Sequence, residues 1–303
     1  MLNITIITDE IVQKGGWHGA QLAAAFATRG HGCKFVCLQD LVLDSAIPNG
    51  ILNASEMPKN VKTTCNVQGM FVRGVAGGTL QQITMRLNFL HLLHLQGALV
   101  YNQAKAIERT VDKAMTSFLL QGAGIATPRT WVTESRQHAH AIIQQNFVSN
   151  QSLIIKPLFG SQGRGVRLVD ASKLPLPMDA YVDGVFYLQQ KITATHDFRV
   201  LIVNNQPVAA MRRSGQNWLH NVAQGATCEK STEADVQEIA VQAAKALAID
   251  YCGVDVIRGQ DGKLWVLEIN SIPAWRGLQS VTDFNIADVL ADDLLQKLAF
   301  ENR

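Results

Sequence analysis

The stretch "CGVDVIRGQDGKLWVLEIN", residues 252–270, constrains the fold most strongly. Two apolar runs are joined by Asp261-Gly262, and both central positions of a type I′ hairpin turn need positive φ, which Asp and Gly tolerate. With these two residues as the turn, Gln260 pairs with Lys263. Counting outward then sets Asp255 opposite Glu268 and Gly253 opposite Asn270. Side chains directly opposed in an antiparallel pair have Cβ atoms about 5 Å apart, where two carboxylates repel by about 3 kcal/mol at an effective dielectric near 20. A divalent cation would offset that cost. Asp255 and Glu268 supply hard oxygens, Asn270 adds a third from the same face, and Gly253 leaves room beside it; magnesium takes such a set and completes its shell with water and phosphate. The opposite face, Val254, Val256, Trp265, Leu267 and Ile269, reads as a core surface. Three other resolutions stay open at this point: a different register, a protonated carboxylate, or neutralisation by an arginine such as Arg276.

With 303 residues, 47% hydrophobic and 17% charged, the chain can bury a large core and divides into two or three lobes. Lys and Arg number 27 against 25 Asp and Glu, with the signs mixed along the chain, which argues against nucleic acid as a partner. No apolar run reaches the roughly 18 residues of a membrane span, and the start lacks the pattern of a signal peptide. The expectation is a soluble, cytoplasmic protein with no membrane partner. Cys33, Cys37, Cys65, Cys228 and Cys252 are odd in number, show no Cys-x-x-Cys spacing and read as reduced.

"NITIIT" reads as a strand, "GAQLAAAFATRGH" as a helix closed by Gly30, and "CKFVCL" as a second strand, the alternation of a parallel α/β lobe. No G-x-G-x-x-G follows the first strand, which argues against a dinucleotide site there. "GMFVRG" and the helical "LQQITMRLNFLHLLHLQG" close a first domain at 1–100. In "TVDKAMTSFLLQGAGIATP", Val111, Met115, Phe118 and Leu119 recur at helical spacing. Beyond it, short strands in hairpins suggest antiparallel sheets, an α+β region divided as 101–188 and 189–303.

In "SLIIKPLFGSQGRGVRLV", Lys156 sits in an apolar strand followed by a loop with Gly160, Gly163 and Gly165. Strand, glycine loop, strand is not the context of a Walker P-loop. Glycines nevertheless let backbone amides approach phosphate, and a lysine in an apolar strand favours an accompanying anion. In "HDFRVLIVNNQPVAAMRR", Asn204-Asn205 mark a hairpin that pairs Val203 with Gln206 and so Asp197 with Arg212. That pairing reads either as an ordinary cross-strand ion pair or as an arginine clamp for phosphate or carboxylate.

Taken in order, "VDK", "LIIKP" with its glycine loop, "YLQQKI", "HDFRVLIV", "AAMRR", "HNVAQG", "GVDVI" and "VLEINSIP" resemble the ATP-grasp fold, and within it the RimK-like amino-acid ligases. The resemblance implies an N-terminal parallel α/β lobe followed by two lobes that clasp ATP. It implies ATP phosphates on Lys113 and Lys156, covered by the loop of Gly160, Ser161, Gly163 and Gly165. Adenine would lie on the backbone of Gln190 and Lys191, and the ribose on Asp197. Magnesium, with manganese able to substitute, would sit on Asp255, Glu268 and Asn270. Arg212 and Asn221 would be catalytic, and Arg213 would lean towards the substrate. Gln190 stands where many relatives carry glutamate, and Ala226 where a second glycine is common, which leaves the shape of the acceptor pocket open.

The stretch from "FVRGVAGG" through "TVDKAMTSFLL" resembles the subgroup that attaches glutamate to pterin or deazaflavin coenzymes, including tetrahydromethanopterin:glutamate ligases. Arg73, at a strand end beside Gly74, is placed either on an anionic part of such a substrate or as a surface residue closing the strand. The expected reaction joins an amino acid, L-glutamate, to a carboxylate-bearing small-molecule acceptor through an acyl phosphate. A protein or peptide C-terminus as acceptor, or a nucleotide-binding regulator without turnover, are the alternatives, and assembly into a homo-oligomer is left open.

Overall fold

The computed structural model describes residues 2, 4–9, 15–46, 50–53, 68–160, 163, 165–170, 184–215 and 226–301. The chain divides into two compact units, one of Met1–Ile107, Ile249–Tyr251 and Ile272–Arg303, the other of Glu108–Ala248 and Cys252–Ser271. The boundary expected near residue 100 thus falls at 107, and the residues after Ser271 return to the first unit instead of completing a C-terminal lobe.

The first unit contains β1 (Ile4–Ile7), α1 (Gly16–Thr28), β2 (Cys33–Val36), β3 (Leu41–Leu43), β4 (Ile51–Asn53), β5 (Gly69–Val72), α2 (Leu80–Leu95), β6 (Leu99–Tyr101) and the start of α3 (Ala104–Val111). Four strands form a parallel sheet in the order β2-β1-β5-β6. This is the sheet expected from alternating strands and helices, because parallel neighbours need a crossover between them. α1 stops where Gly30 takes φ 78° and the Gly30 and His31 amides return to Ala27 and Phe26 carbonyls. α2 starts on a capping box of Thr79 and Gln82. One face of the sheet buries Ile7, Val36, Met70, Val72 and Val100 against Phe89, Leu90 and Leu93 of α2.

The second unit begins with α4 (Lys113–Gly122), capped by Asp112, whose carboxylate accepts from the Ala114 and Met115 amides. Then come β7 (Thr130–Thr133), α5 (Arg136–Val148), β8 (Leu153–Lys156), β9 (Arg167–Leu168), β10 (Phe186–Gln190), β11 (His196–Val203), β12 (Gln206–Ser214), β13 (Thr227–Lys230), α6 (Ala234–Leu247), β14 (Tyr251–Arg258) and β15 (Leu264–Asn270). They form two sheets, β7-β10-β8-β9 and β13-β12-β11-β14-β15, whose hairpins are antiparallel. The chain closes with α7 (Arg276–Gln279) and α8 (Ile286–Glu301) back in the first unit. There α8 crosses β5 so closely that a Cβ on Gly69 would lie 2.7 Å from Leu298 Cδ1.

In the small sheet the alternation of strands separates core from chemistry. Leu153, Ile155, Phe186 and Leu188 pack on Ala139 and Ile143 of α5, which turns Lys156, Tyr187 and Gln189 to the other face. The single apolar stripe read over 111–119 is broken at Asp112 and does not face the core: Val111 at the end of α3 and Met115 and Phe118 of α4 are exposed, Leu119 is half-buried, and α4 instead buries Thr116, Ser117 and Leu120. Among the described residues no helix is long and apolar enough to cross a membrane, and Cys33, Cys37, Cys228 and Cys252 are free thiols. Cys65 lies outside the described residues.

Candidate functional site

The hairpin of β14 and β15 does set Asp255 opposite Glu268 and Gly253 opposite Asn270. It reaches that register by two departures that cancel. Gly259 N donates to Lys263 O (2.9 Å), so the turn holds three residues, Gln260, Asp261 and Gly262, with Gly262 at φ 80°. The strands then begin one residue out of step, and a bulge restores the count: Val256 pairs with Val266 and Asp255 with Glu268, leaving Leu267 as the extra residue. The core face therefore carries Val266 with Val254, Val256 and Ile269, whereas Trp265 pairs with Ile257 on the carboxylate side.

A second bulge changes the arginines. β11 and β12 start from Val203 opposite Gln206, but the register shifts after Ile202, so Asp197 faces Arg213 and Phe198 faces Arg212. A slip of one residue moves every later side chain to the opposite face. Arg213 is buried, and its Nε donates to Asp197 Oδ1 at 2.6 Å while Nη2 lies 3.0 Å from Asp255 Oδ1. Arg212 points the other way and pairs with Glu229 at the exposed edge (2.5 Å), so the counted pairing of Asp197 with Arg212 is replaced by Asp197 with Arg213. Sequence reading missed Arg199. Its Nε lies 2.7 Å from Asp255 Oδ1, and its Nη1 donates to the Asn270 side-chain oxygen (3.1 Å) when the amide is turned so that its nitrogen donates to Glu268 Oε1 (3.0 Å). The signal was available in "HDFRV", since residues two apart on a strand share a face.

The electrostatics follow from this crowding. Burial and then Asp255 push the Glu268 carboxyl above its ordinary range, against the pull of Lys113, Lys156 and Arg199. Burial also lifts Asp197 to about 6, although Arg213 opposes it. Burial disfavours the Arg213 charge, but Asp255 and Asp197 outweigh it and hold the guanidinium firmly charged. Asp255 Oδ1 is buried between two guanidinium groups, with Arg199 Nε at 2.7 Å and Arg213 Nη2 at 3.0 Å.

Glu268 lies opposite the Asp255 carboxylate, its pKa raised first by burial and then by Asp255, and the two make a pair of hard oxygens that fits a cation. No group of three or more His, Cys, Asp and Glu residues suited to a metal occurs among the described residues, so a magnesium ion here would rely on Asp255, Glu268, Asn270, water and phosphate. Bound there, it would neutralise charge on the phosphates of a nucleotide.

The lysines lie on the same unit. Lys156 Nζ donates to Gln189 Oε1 (2.7 Å), whose amide nitrogen donates to Thr130 Oγ1 (3.0 Å) and Tyr187 OH (3.1 Å), and Tyr187 meets Ser117 Oγ at 2.8 Å. Burial takes the Lys156 pKa down to about 8, with Glu268 pulling the other way. Gln189, fully buried, was also missed; it lies two residues from Tyr187 and so shares its face. Lys113, first residue of α4, donates to the carbonyls of Gly160 (2.7 Å) and Leu158 (3.3 Å) and tethers the start of the glycine loop; burial lowers its pKa too. Gly165, at φ 73°, brings the loop back so close to Pro157 that a Cβ would lie 2.7 Å from its Cγ. Gly163 is also at positive φ, whereas Ser161 and Asn221 lie outside the described residues. The amides of Gln190 and Lys191 already donate to the Arg129 and Ser152 carbonyls (both 2.8 Å), so a base meeting this backbone would have to use other groups. Arg73 belongs to the first unit, where its guanidinium lies 5.3 Å from the Trp275 ring.

Phosphoryl transfer asks for alignment and charge neutralisation more than for a protein nucleophile. Lys113, Lys156, Arg199 and Arg213 around a pair of facing carboxylates meet that description. The model of the RimK-like ATP-grasp domain matches residues 110–294. The chain belongs to this family. Among similar proteins, the tetrahydromethanopterin:alpha-L-glutamate ligase of Methanocaldococcus jannaschii is 36% identical over 213 residues, 65% of this chain and 70% of that protein. The ligase of the same name from Methanococcus maripaludis is 29% identical over 84% of this chain and 88% of its own length. The solved ATP-grasp ligase PsnB, in complex with a minimal precursor, Mg and ADP, superposes with a TM-score of 0.72 over 98% of both chains at 20% identity, a likeness of fold. This RimK-like ATP-grasp protein is an ATP-dependent ligase that forms C–N bonds. ATP-grasp ligases use ATP and magnesium.

Proposed function

We propose that this RimK-like ligase adds L-glutamate to a carboxylate-bearing pterin or deazaflavin coenzyme precursor. The acceptor carboxylate attacks the γ-phosphate of ATP, ADP leaves, and the glutamate amine displaces phosphate from the acyl phosphate to give the amide. The observation that carries the reading is the 36% identity to a ligase named for glutamate and tetrahydromethanopterin, in a chain with paired carboxylates at Asp255 and Glu268. In this reading Lys113 and Lys156 hold the phosphates beneath the loop of Gly160 to Gly165, and Asp255, Glu268 and Asn270 take the metal. Arg199 and Arg213 neutralise charge as the phosphoryl group moves, and Asp197 fixes Arg213. Several solved relatives carry precursor peptides in their names, but at about 20% identity they speak for the fold and not for a peptide acceptor.

The test is ADP release by purified protein with ATP, magnesium, glutamate and a panel of pterin, deazaflavin and peptide carboxylates, with products read by mass spectrometry. A product heavier by one glutamyl residue on a pterin or deazaflavin acceptor supports the reading. Glutamylation confined to peptides, or nucleotide binding with no turnover on any acceptor, overturns it.

A further inference from the structure

The second unit buries polar side chains where its sequence offered apolar ones. α4 exposes Met115 and Phe118 but buries Thr116 and Ser117, and the side of β10 turned away from the apolar core carries Tyr187 and Gln189, both fully buried. Burying an amide and hydroxyls costs stability unless each is bonded, and here the bonds all lead to one lysine.

The protons of this cluster fix its direction. Thr130 pairs with Gln189 across β7 and β10, and Tyr187 pairs with Lys156 across β10 and β8, so the four side chains share one face of the small sheet. Thr130 Oγ1 donates its one proton to Pro128 O (2.9 Å), so towards Gln189 it can only accept. An ammonium can only donate. The Gln189 amide therefore has a single orientation, with Nε2 towards Thr130 Oγ1 (3.0 Å) and Tyr187 OH (3.1 Å) and Oε1 towards Lys156 Nζ (2.7 Å). Tyr187, having accepted from Gln189, is left to donate to Ser117 Oγ (2.8 Å). Turned over, the amide would set its NH2 group against the ammonium and its oxygen against a threonine with no proton to give.

A neutral acceptor suits a lysine that has to meet an anion. Burial disfavours the Lys156 charge, Glu268 of β15 supports it, Lys113 of α4 opposes it and Asp255 of β14 supports it. One amide oxygen takes one of the three ammonium protons and holds Nζ in place. A carboxylate there would form an ion pair and cancel the charge that a phosphate needs.

We infer, resting on the reading of Lys156 as a phosphate-holding lysine, that Gln189 is the positioning residue that aims its ammonium, with Thr130 and Tyr187 fixing the amide. Gln189 acts through Lys156 and does not itself meet the nucleotide.

Calorimetric titration of the full chain with ATP and magnesium, across neutral and alkaline pH, tests this role without need of an acceptor. Gln189→Leu should weaken ATP by about tenfold or more, the effect of losing a hydrogen bond to a charged group, and should move the alkaline fall in affinity to lower pH. Gln189→Glu should also weaken ATP at neutral pH, because its carboxylate competes with phosphate, but should move that fall to higher pH. A loss of packing would not shift the two profiles in opposite directions. Should Gln189→Leu not fold, Gln189→Glu carries the same readout. Tyr187→Phe, which removes only the hydroxyl, should weaken ATP severalfold in the parent but by less than about twofold in Gln189→Leu, where the amide it orients is gone. Full ATP affinity in both Gln189 variants beside weakened affinity in Lys156→Met would overturn the positioning role alone, as would pH shifts of the same sign. Parental affinity in Lys156→Met would overturn the reading of that lysine and the positioning role with it.

Discussion

Replacing Glu268 by glutamine and Asp255 by asparagine removes one negative charge from each of two facing positions, yet the fold should respond differently. Asp255 has Arg199 at 2.7 Å and Arg213 at 3.0 Å. Removing one member of a buried ion pair costs about 3–5 kcal/mol, and because Arg213 keeps Asp197 the lower end, about 3 kcal/mol, applies. Glu268 has no such partner among the described residues; its charge is disfavoured first by burial and then by Asp255. Relieving that repulsion is worth at most about 3 kcal/mol at an effective dielectric near 20, and the lost attraction to Lys113 and Lys156 offsets most of it. Because Glu268 keeps part of its surface in solvent, the net expectation is a change within about 1 kcal/mol of zero, on the stabilising side.

Thermal unfolding at pH 7 without nucleotide or magnesium reads the contrast. Asp255→Asn should lower Tm by roughly 6–12 °C and Glu268→Gln should leave it unchanged or raise it, while both abolish magnesium-dependent ADP release. The pH dependence supplies a sign. A carboxyl whose folded pKa is raised binds its proton more tightly in the folded state, so its contribution to stability is present at low pH and is lost as pH rises from the ordinary glutamate value through the raised one. The stability of Glu268→Gln relative to the parent should therefore grow across that window and then level off. Equal destabilisation by the two substitutions would refute the argument that Asp255 is paired and Glu268 is not.

Lys156 should be charged below pH 8 and lose its charge above it, so kcat/KM for ATP should fall on the alkaline side with an apparent pKa near 8. Gln189→Glu, which places a carboxylate on the atom now 2.7 Å from Nζ, should move that limb upward by about one unit or more; an unmoved limb would remove Lys156 from the phosphate site. Arg212→Ala, which breaks an exposed pair with Glu229, should change stability by less than about 1 kcal/mol and leave ADP release within about twofold. Arg213→Ala should instead cost about 3 kcal/mol or more and abolish turnover, and equal effects of the two would contradict the register of β11 and β12.

The sequence by itself determined the elements and the chemistry they carry. Alternating strands and helices predicted the parallel sheet, Gly30 ended α1, and the lysine before a glycine loop was legible from residue type alone. The facing of Asp255 and Glu268 was legible too, although by a count in which a turn one residue too short and an unseen bulge at Leu267 cancelled. The same counting, applied to β11 and β12, met one bulge with nothing to cancel it and put Arg212 where Arg213 belongs. Bulges leave little local mark in a sequence because they are set by how two strands twist against one another. For the same reason only tertiary structure brought Arg199 to Asp255, turned Val111, Met115 and Phe118 outward, and returned Trp275 to Arg73 and Arg276 to Trp17 across more than two hundred residues of chain. Local preference acts over a few residues, whereas the pairing of distant charges and rings is decided by which surfaces the core leaves adjacent.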